Sequence, residues 1–189
     1  MPPQVPLAAV VLVGGASRRM GRDKATMPHP AHPELTMVEH TVAVLAARCA
    51  PVIVVAAPGQ PLPALSAEII HDRLRGTGPL PATGRGLRAA AAAGVQSAFV
   101  AAVDMPNLSV GLVDQLLAHL ARHRDADVVL PWDGRDHYLA GIYRTDLADR
   151  IDALVASGQR SMRAVADTVS TRRVIVEPAA ELHNMNSPL

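Results

Sequence analysis

The stretch Leu7-Ala8-Ala9-Val10-Val11-Leu12-Val13-Gly14-Gly15-Ala16-Ser17-Arg18-Arg19-Met20-Gly21-Arg22-Asp23-Lys24 decides the fold. Its first seven residues are apolar without alternation, the pattern of a strand covered on both faces, and the run stops at two glycines. Working outward, Thr36 reads as the cap of a helix in which Val38, Thr41, Val42, Leu45 and Ala46 recur at helical spacing up to about Arg48. A second apolar run, Val52 to Ala56, follows. Strand, glycine loop, helix and strand make the opening unit of an α/β protein.

The alternation continues along the chain. A short strand is expected near Glu68 to His71, a helix over Gly86 to Ala93, and a buried strand from Ser97 to Val103 that ends at Asp104. Ser109 caps a helix carrying Val113, Leu116, Leu117 and Leu120 on one face. Asp127 to Leu130 and Tyr138 to Tyr143 read as strands, Asp146 to Ala156 and Ser161 to Thr168 as helices, and Arg173 to Val176 as the last strand. This order predicts a three-layer, Rossmann-like α/β sandwich with a mostly parallel sheet, one domain over residues 1–189. Met27 to Pro33 and Pro58 to Pro63, both rich in proline, read as surface loops within it.

Composition narrows the function. The chain has 189 residues, 49% of them hydrophobic, and 18 basic against 17 acidic residues, a net charge of +1. That balance argues against a general nucleic-acid binder, and any polyanion must be small and met locally. Four aromatic residues, Phe99, Trp132, Tyr138 and Tyr143, leave the core to Val, Leu, Ile and Ala and supply no platform for stacked bases. Cys49 is the single cysteine, so neither an intrachain disulfide nor a Cys-x-x-Cys zinc site is expected. Apolar runs fall short of the roughly 18 residues of a membrane span, and the N-terminus lacks a basic flank followed by a signal-type apolar stretch. A reduced, cytoplasmic protein is the expectation.

In open α/β sheets ligands sit at the carboxyl ends of strands, which is where Leu12 to Lys24 lies. Its glycines let backbone N–H groups approach a ligand, and Arg18, Arg19, Arg22 and Lys24 supply cations, together an anion site suited to phosphates. Neither Gly-x-x-x-x-Gly-Lys-Ser/Thr nor Gly-x-Gly-x-x-Gly is present, which disfavours a P-loop kinase or a dinucleotide oxidoreductase. Lys24 is the single lysine beside seventeen arginines, a compact point charge kept at the end of the loop. Asp104 stands at the tip of a buried strand, with Pro106 fixing the turn, and a carboxylate beside phosphates is a typical Mg²⁺ ligand.

These residues resemble the molybdenum cofactor guanylyltransferases, within the MobA-like nucleotidyltransferases. The signature Leu-Ala-Gly-Gly, Ser-x-Arg-Met-Gly, Asp-Lys is met by Leu12 to Gly15, Ser17 to Gly21 and Asp23-Lys24, with Val13 in place of Ala. Asp72 ahead of Gly78-Pro79-Leu80, the Asp104-Met105-Pro106 turn, the segment Gly134 to Tyr138, and Asn184-Met185-Asn186 extend the match over nearly the whole chain. Two departures stand out. Ala56-Ala57 occupy the place of an asparagine near the guanine, and Pro81 to Gly86 looks like added length.

The resemblance implies transfer of GMP from GTP to the terminal phosphate of molybdenum-bearing molybdopterin, with release of pyrophosphate. It assigns Arg19 and Lys24 to the β- and γ-phosphates, Leu12, Val13, Gly14 and Gly15 to the nucleotide, Asp72 to the guanine or ribose, and Asp104 to Mg²⁺. Asn184 and Asn186 fall on the pterin phosphate side, with Asn186 a metal neighbour. Gly14-Gly15, where cytidylyl-transferring relatives tend to have Ala-Gly, favours guanine. A molybdoenzyme or a cofactor-delivery protein is the implied partner. Two alternatives stay open: a relative that uses CTP or a sugar phosphate, and a nucleotide-binding module without transfer, against which the joint presence of Lys24 and Asp104 speaks.

Other features read as structural. His29, His32 and His40 share no metal spacing on one helix, and His29-Pro30 with His32-Pro33 reads as a loop. Trp132 reads as half-buried packing within reach of the pterin, Cys49 as core, and Arg172-Arg173 and Arg122-His123-Arg124 as solvated element ends.

Overall fold

All five residues of β1 (Ala8–Leu12) are buried, and they divide between two cores. Ala9 and Val11 join one hydrophobic cluster, Ala8, Val10 and Leu12 the other, so a strand with no polar alternation is one whose two faces are both covered. The computed structural model describes residues 5–14, 23–73, 76–177 and 180–185. After β1 come α1 (Met37–Ala46), β2 (Val52–Ala56), β3 (Glu68–His71), α2 (Pro79–Ala92), β4 (Ser97–Ala102) and α3 (Val110–Arg122). Then follow β5 (Val128–Trp132), β6 (Ala140–Arg144), α4 (Ala148–Ala156), α5 (Met162–Ala166) and β7 (Thr171–Ile175).

The strands form one sheet in the order β3-β2-β1-β4-β6-β5-β7. β3, β2, β1 and β4 run parallel, Val10 pairing with Ile53 on one side and Val100 on the other. β6 runs against both β4 and β5, and β5 is parallel to β7. Met37, Val38, Val42 and Leu45 of α1 and Leu112, Val113, Leu116 and Leu117 of α3 cover one face. Leu80 and Leu87 of α2, Ile151 of α4, and Met162 and Val165 of α5 cover the other. This is the three-layer α/β sandwich with a mostly parallel sheet that the sequence predicts.

Local signals set most boundaries. Thr36 and Glu39 form a reciprocal capping box on α1, and the Ser109 hydroxyl accepts from the Leu112 N–H to start α3. Tyr143, fully buried, donates its hydroxyl to the Tyr138 carbonyl at 2.6 Å. The chief departure is α2, which begins at Pro79 and not at Gly86. Pro79 and Pro81 sit in its first turn, where N–H groups have no acceptor within the helix, so neither proline breaks it. The residues that look like added length are thus helix. They include Gly86, where a Cβ would lie 2.2 Å from Val10 Cγ1, so glycine lets α2 settle directly on β1.

The expected loop Met27 to Pro33 also differs. Pro28 bridges to Thr36, and His29, 3% exposed, points inward. The arginines at the element ends, Arg122, Arg124, Arg172 and Arg173, are exposed as expected, and the last two are also paired. Arg172 reaches Asp125 at 2.8 Å, and Arg173 grips Asp136 through two bonds of 2.6 and 2.8 Å while lying 5.8 Å from the Trp132 ring. The hydrogen bonds from Arg173 hold the Asp136 carboxyl below the usual carboxylate range.

Candidate active site at the carboxyl edge of the sheet

The parallel strands deliver their carboxyl ends to one edge, where Val13-Gly14 follow β1, Ala57 follows β2, Asp72 follows β3 and Val103-Asp104 follow β4. Leu139, just before the oppositely running β6, meets the same edge. These segments border a cleft of about 400 Å³ lined by Leu12, Val13, Gly14, Lys24, Asp104 and Leu139, with Gly78 and Pro79 at the start of α2. The floor is backbone and small side chains. At Gly14 a Cβ would lie 2.8 Å from the Ala57 nitrogen, so only glycine permits the two strand ends to approach this closely.

Lys24 opens a single 3-10 turn, Lys24–Thr26, whose cap is Asp23, the carboxylate accepting from the Ala25 N–H at 3.0 Å. The Lys24 ammonium lies 3.4 Å from Asp104 Oδ2, and the two side chains are 17% and 21% exposed. Sequence positions eighty apart thus meet at the cleft mouth. A separation of 3.4 Å is a loose contact for an ammonium and a carboxylate, so each group has little to give up in turning to a ligand of opposite charge. A lone carboxylate at a partly hydrated cleft edge fits Mg²⁺, which takes one or two carboxylates and completes its shell with water and phosphate oxygens.

Asp72 sits on the other side of β1 and is held differently. Arg85 Nε, from α2, lies 3.0 Å from its Oδ1, the Arg73 N–H donates to the same oxygen at 3.1 Å, and the side chain is 13% exposed. Asp72, Thr77, Gly78 and Gly14 line a recess that joins the main cleft. The chain near Asn184 returns to the turn after β4, because the next residue, Met185, donates its N–H to the Asp104 carbonyl at 2.9 Å. Gly15, Ser17, Arg18, Arg19, Met20, Gly21, Arg22 and Asn186 lie outside the described residues.

Sequence reasoning misses Gln60, hidden in the proline-rich loop after β2. Its amide nitrogen donates to Asp23 Oδ2 at 2.6 Å and to the Val13 carbonyl at 3.1 Å, while its oxygen accepts from the Ala57 N–H at 2.9 Å. One side chain thereby ties together the tips of β1 and β2 and the cap of the lysine turn. A lone amide between Pro58 and Pro61 is the only trace of this in the sequence. Cys49 is no nucleophile: burial pushes its thiol up to about 12. No helix among the described residues is long and apolar enough to cross a membrane.

Comparison with known proteins matches this geometry to a family. Residues 9–174 match the MobA-like NTP transferase domain. A protein of Mycobacterium tuberculosis H37Rv named "Probable molybdenum cofactor guanylyltransferase" is 60% identical over 186 residues, 98% of this chain and 92% of its own length. One of the same name from Mycobacterium marinum is 60% identical over 183 residues, covering 97% and 90%. Among solved structures, molybdopterin-guanine dinucleotide biosynthesis protein A from Archaeoglobus fulgidus superposes with a TM-score of 0.73 at 20% identity, covering 96% of this chain and 93% of that one. The 2-C-methyl-D-erythritol 4-phosphate cytidylyltransferase of Thermus thermophilus superposes at 0.69 with 19% identity over 96% and 94%, and both share the fold. The matched region runs from within β1 to within β7 and takes in every strand tip that borders the cleft, and on that ground this chain belongs to the MobA-like NTP transferase family.

Proposed function

We propose that this protein transfers GMP from GTP to the terminal phosphate of molybdenum-bearing molybdopterin, making the guanine dinucleotide form of the cofactor and releasing pyrophosphate. The observation that carries the reading is the meeting of Lys24 with Asp104 over the tip of β1, in a chain 60% identical to relatives named for guanylyl transfer. An oxygen of the acceptor phosphate forms a bond to the α-phosphorus of GTP. The bond from that phosphorus to the α–β bridging oxygen breaks, its electron pair leaving with pyrophosphate.

Such a displacement needs no side-chain nucleophile. It needs two anions aligned against their repulsion and charge on the leaving group neutralised. In this reading Lys24 swings from Asp104 to the β- and γ-phosphates, joined by Arg19. Backbone N–H groups from Leu12 to Gly15 hold the nucleotide, and Asp72 accepts from the guanine or ribose. Asn184 and Asn186 take the pterin phosphate side. Asp104, with Asn186 as neighbour, would hold Mg²⁺, which when bound supplies neutralisation of phosphate charge. Residues 1–189 act as one nucleotidyltransferase domain in the cytoplasm, with a cofactor-delivery protein or a molybdoenzyme as partner and without nucleic acid or membrane.

The test is pyrophosphate release from GTP, CTP and ATP, with Mg²⁺ and a molybdenum-molybdopterin acceptor, for the native chain and for Lys24→Ala and Asp104→Ala. Release from GTP that depends on Mg²⁺ and acceptor, and that falls in both variants, is expected. Preferred use of CTP would reassign the base, and nucleotide binding without release would make the protein a binding module.

A further inference from the structure

Away from the cleft, the described residues bring His29, His32 and His40 into one group whose candidate ligand nitrogens all lie within 4.8 Å of one another. Spacing on a single helix does not foresee this, because a turn does the gathering. His29 N–H bonds the Leu35 carbonyl at 2.8 Å, and Leu35 N–H bonds the His32 carbonyl at 2.9 Å, folding the segment back over the first turn of α1, where His40 stands. The His29 and His40 rings stack at 3.9 Å between centroids, and His32 lies 5.3 Å from each.

The surroundings decide which nitrogens carry protons. His29 Nε2 is 2.7 Å from the Pro106 carbonyl oxygen. A carbonyl only accepts, so Nε2 is the protonated nitrogen and Nδ1 presents a lone pair. A ring N–H fixed on a backbone carbonyl is the usual outer support of a metal-ligating histidine. The Nδ1 lone pair accepts from the N–H groups of Ala31 and His32 at 3.2 and 3.1 Å, at the long end of the ordinary range, and a cation at Nδ1 would displace both. His32 Nδ1 has Glu34 Oε1 at 3.5 Å, a carboxylate on the side of the ring away from Nε2. Burial and the two neighbouring imidazoles hold His40 below the usual histidine range.

We propose that His29, His32 and His40 form a site for a late first-row divalent cation, with Zn²⁺ as the expected occupant and water or solvent-borne ligand in the fourth position. Three imidazoles without a thiolate suit Zn²⁺, Co²⁺, Ni²⁺ or Cu²⁺, while the oxygen-seeking Mg²⁺ has no reason to enter. Bonds of 2.0–2.1 Å in tetrahedral geometry need nitrogens about 3.3 Å apart. The nitrogens must therefore close by at most about 1.5 Å, with exposed His32 rotating and half-buried His40 turning out of its stack on His29 so that the lone pairs converge. The bound ion fastens the segment after the lysine turn to α1 and, through the His29 to Pro106 bond, to the turn that follows Asp104.

The test uses the full chain stripped with a chelator and titrated with Zn²⁺ by calorimetry in a non-coordinating buffer containing excess Mg²⁺. It is repeated with His32→Ala, His40→Ala and Asp104→Asn, with Co²⁺ absorption as a second readout. One equivalent of Zn²⁺ is expected to bind and raise the melting temperature. Each histidine variant should weaken binding at least about tenfold and abolish the visible tetrahedral Co²⁺ bands, with unchanged circular dichroism. Asp104→Asn should bind Zn²⁺ as the native chain does. Absence of stoichiometric Zn²⁺ binding, binding unchanged in both histidine variants, or binding lost in Asp104→Asn would overturn the proposal.

Discussion

Two carboxylates stand at strand tips on either side of β1, and they are held in opposite ways. Asp104, after β4, faces the Lys24 ammonium at 3.4 Å. Asp72, after β3, is clasped by the Arg85 guanidinium at 3.0 Å and by a backbone N–H. A guanidinium is a planar, permanently charged fork that stays where it packs, whereas an ammonium is a point charge on a mobile stem. The Asp104 side of the cleft is built to rearrange when charge arrives, and the Asp72 side is built to keep one carboxylate oriented. That division suits a reaction in which phosphates move and a base and ribose do not.

The largest effect is expected on the mobile side. Lys24→Ala and Asp104→Asn should each lower the rate of pyrophosphate release by a factor on the order of 10²–10³, the scale for removing one preorganised charge from a transition state. Both side chains line an open cleft, so melting temperatures should stay within about 2 °C of native. Activity within tenfold of native in either variant would erase the contrast between the two carboxylates.

On the fixed side the expected signature is different in kind. Arg85→Ala leaves Asp72 without its guanidinium, and a charge-assisted hydrogen bond is worth about 1.5–3 kcal/mol. The prediction is a rise of roughly tenfold in KM for GTP with kcat within about threefold, measured by initial rates at saturating acceptor. A drop in kcat with unchanged KM would mean that Asp72 acts on the reacting phosphates, and the division of labour would fail.

The contrast between the two sides also measures what a sequence can reveal. Three of the four parallel strands, β1, β2 and β4, are legible because covering both faces demands unbroken apolar runs, as in Val52 to Ala56 and Ser97 to Val103. Asp104 is legible because a charge that ends such a run has to lie at the edge. Arg85 is not, because Pro79 and Pro81 disguise the first turn of α2, so the segment reads as a loop and its guanidinium has no address. His29 is hidden for a related reason: a proline-flanked histidine looks exposed until the bridge from Pro28 to Thr36 turns it inward. Long-range pairings that depend on where a loop folds leave no periodic trace.

Between the two carboxylates lies the tip of β1, and Gly14 tests whether both depend on it. Gly14→Ala would place a Cβ 2.8 Å from the Ala57 nitrogen, forcing the ends of β1 and β2 apart. Overpacking of this kind costs about 1–3 kcal/mol. A melting temperature lower by several degrees is expected, together with a loss of activity expressed in both KM and kcat. A variant that keeps native stability would show that the two strand ends can part freely, and the tip of β1 would no longer be a shared reference for the two sides.

The smallest effect on turnover belongs to Gln60. Its amide bonds Val13, Asp23 and Ala57 but touches neither Asp72 nor Asp104 directly. Gln60→Ala removes the link that holds the cap of the lysine turn against β1, while Asp23 still accepts from Ala25 and the turn itself survives. Net hydrogen bonds of this type contribute about 0.5–1.5 kcal/mol each and Gln60 makes three, so a stability loss of about 1.5–4.5 kcal/mol is expected in denaturant titration. Because the turn places Lys24, kcat should fall a few-fold while KM for GTP holds near native. Combined with Arg85→Ala, the two losses should nearly add, since Gln60 bonds Val13, Asp23 and Ala57 while Arg85 bonds Asp72, the β2 tip linking them through the Asp72 N–H to the Ala56 carbonyl at 2.7 Å. A strongly non-additive double variant would couple the lysine turn to the Asp72 clasp, and the cleft would have to be treated as one unit, with no mobile half and no fixed half.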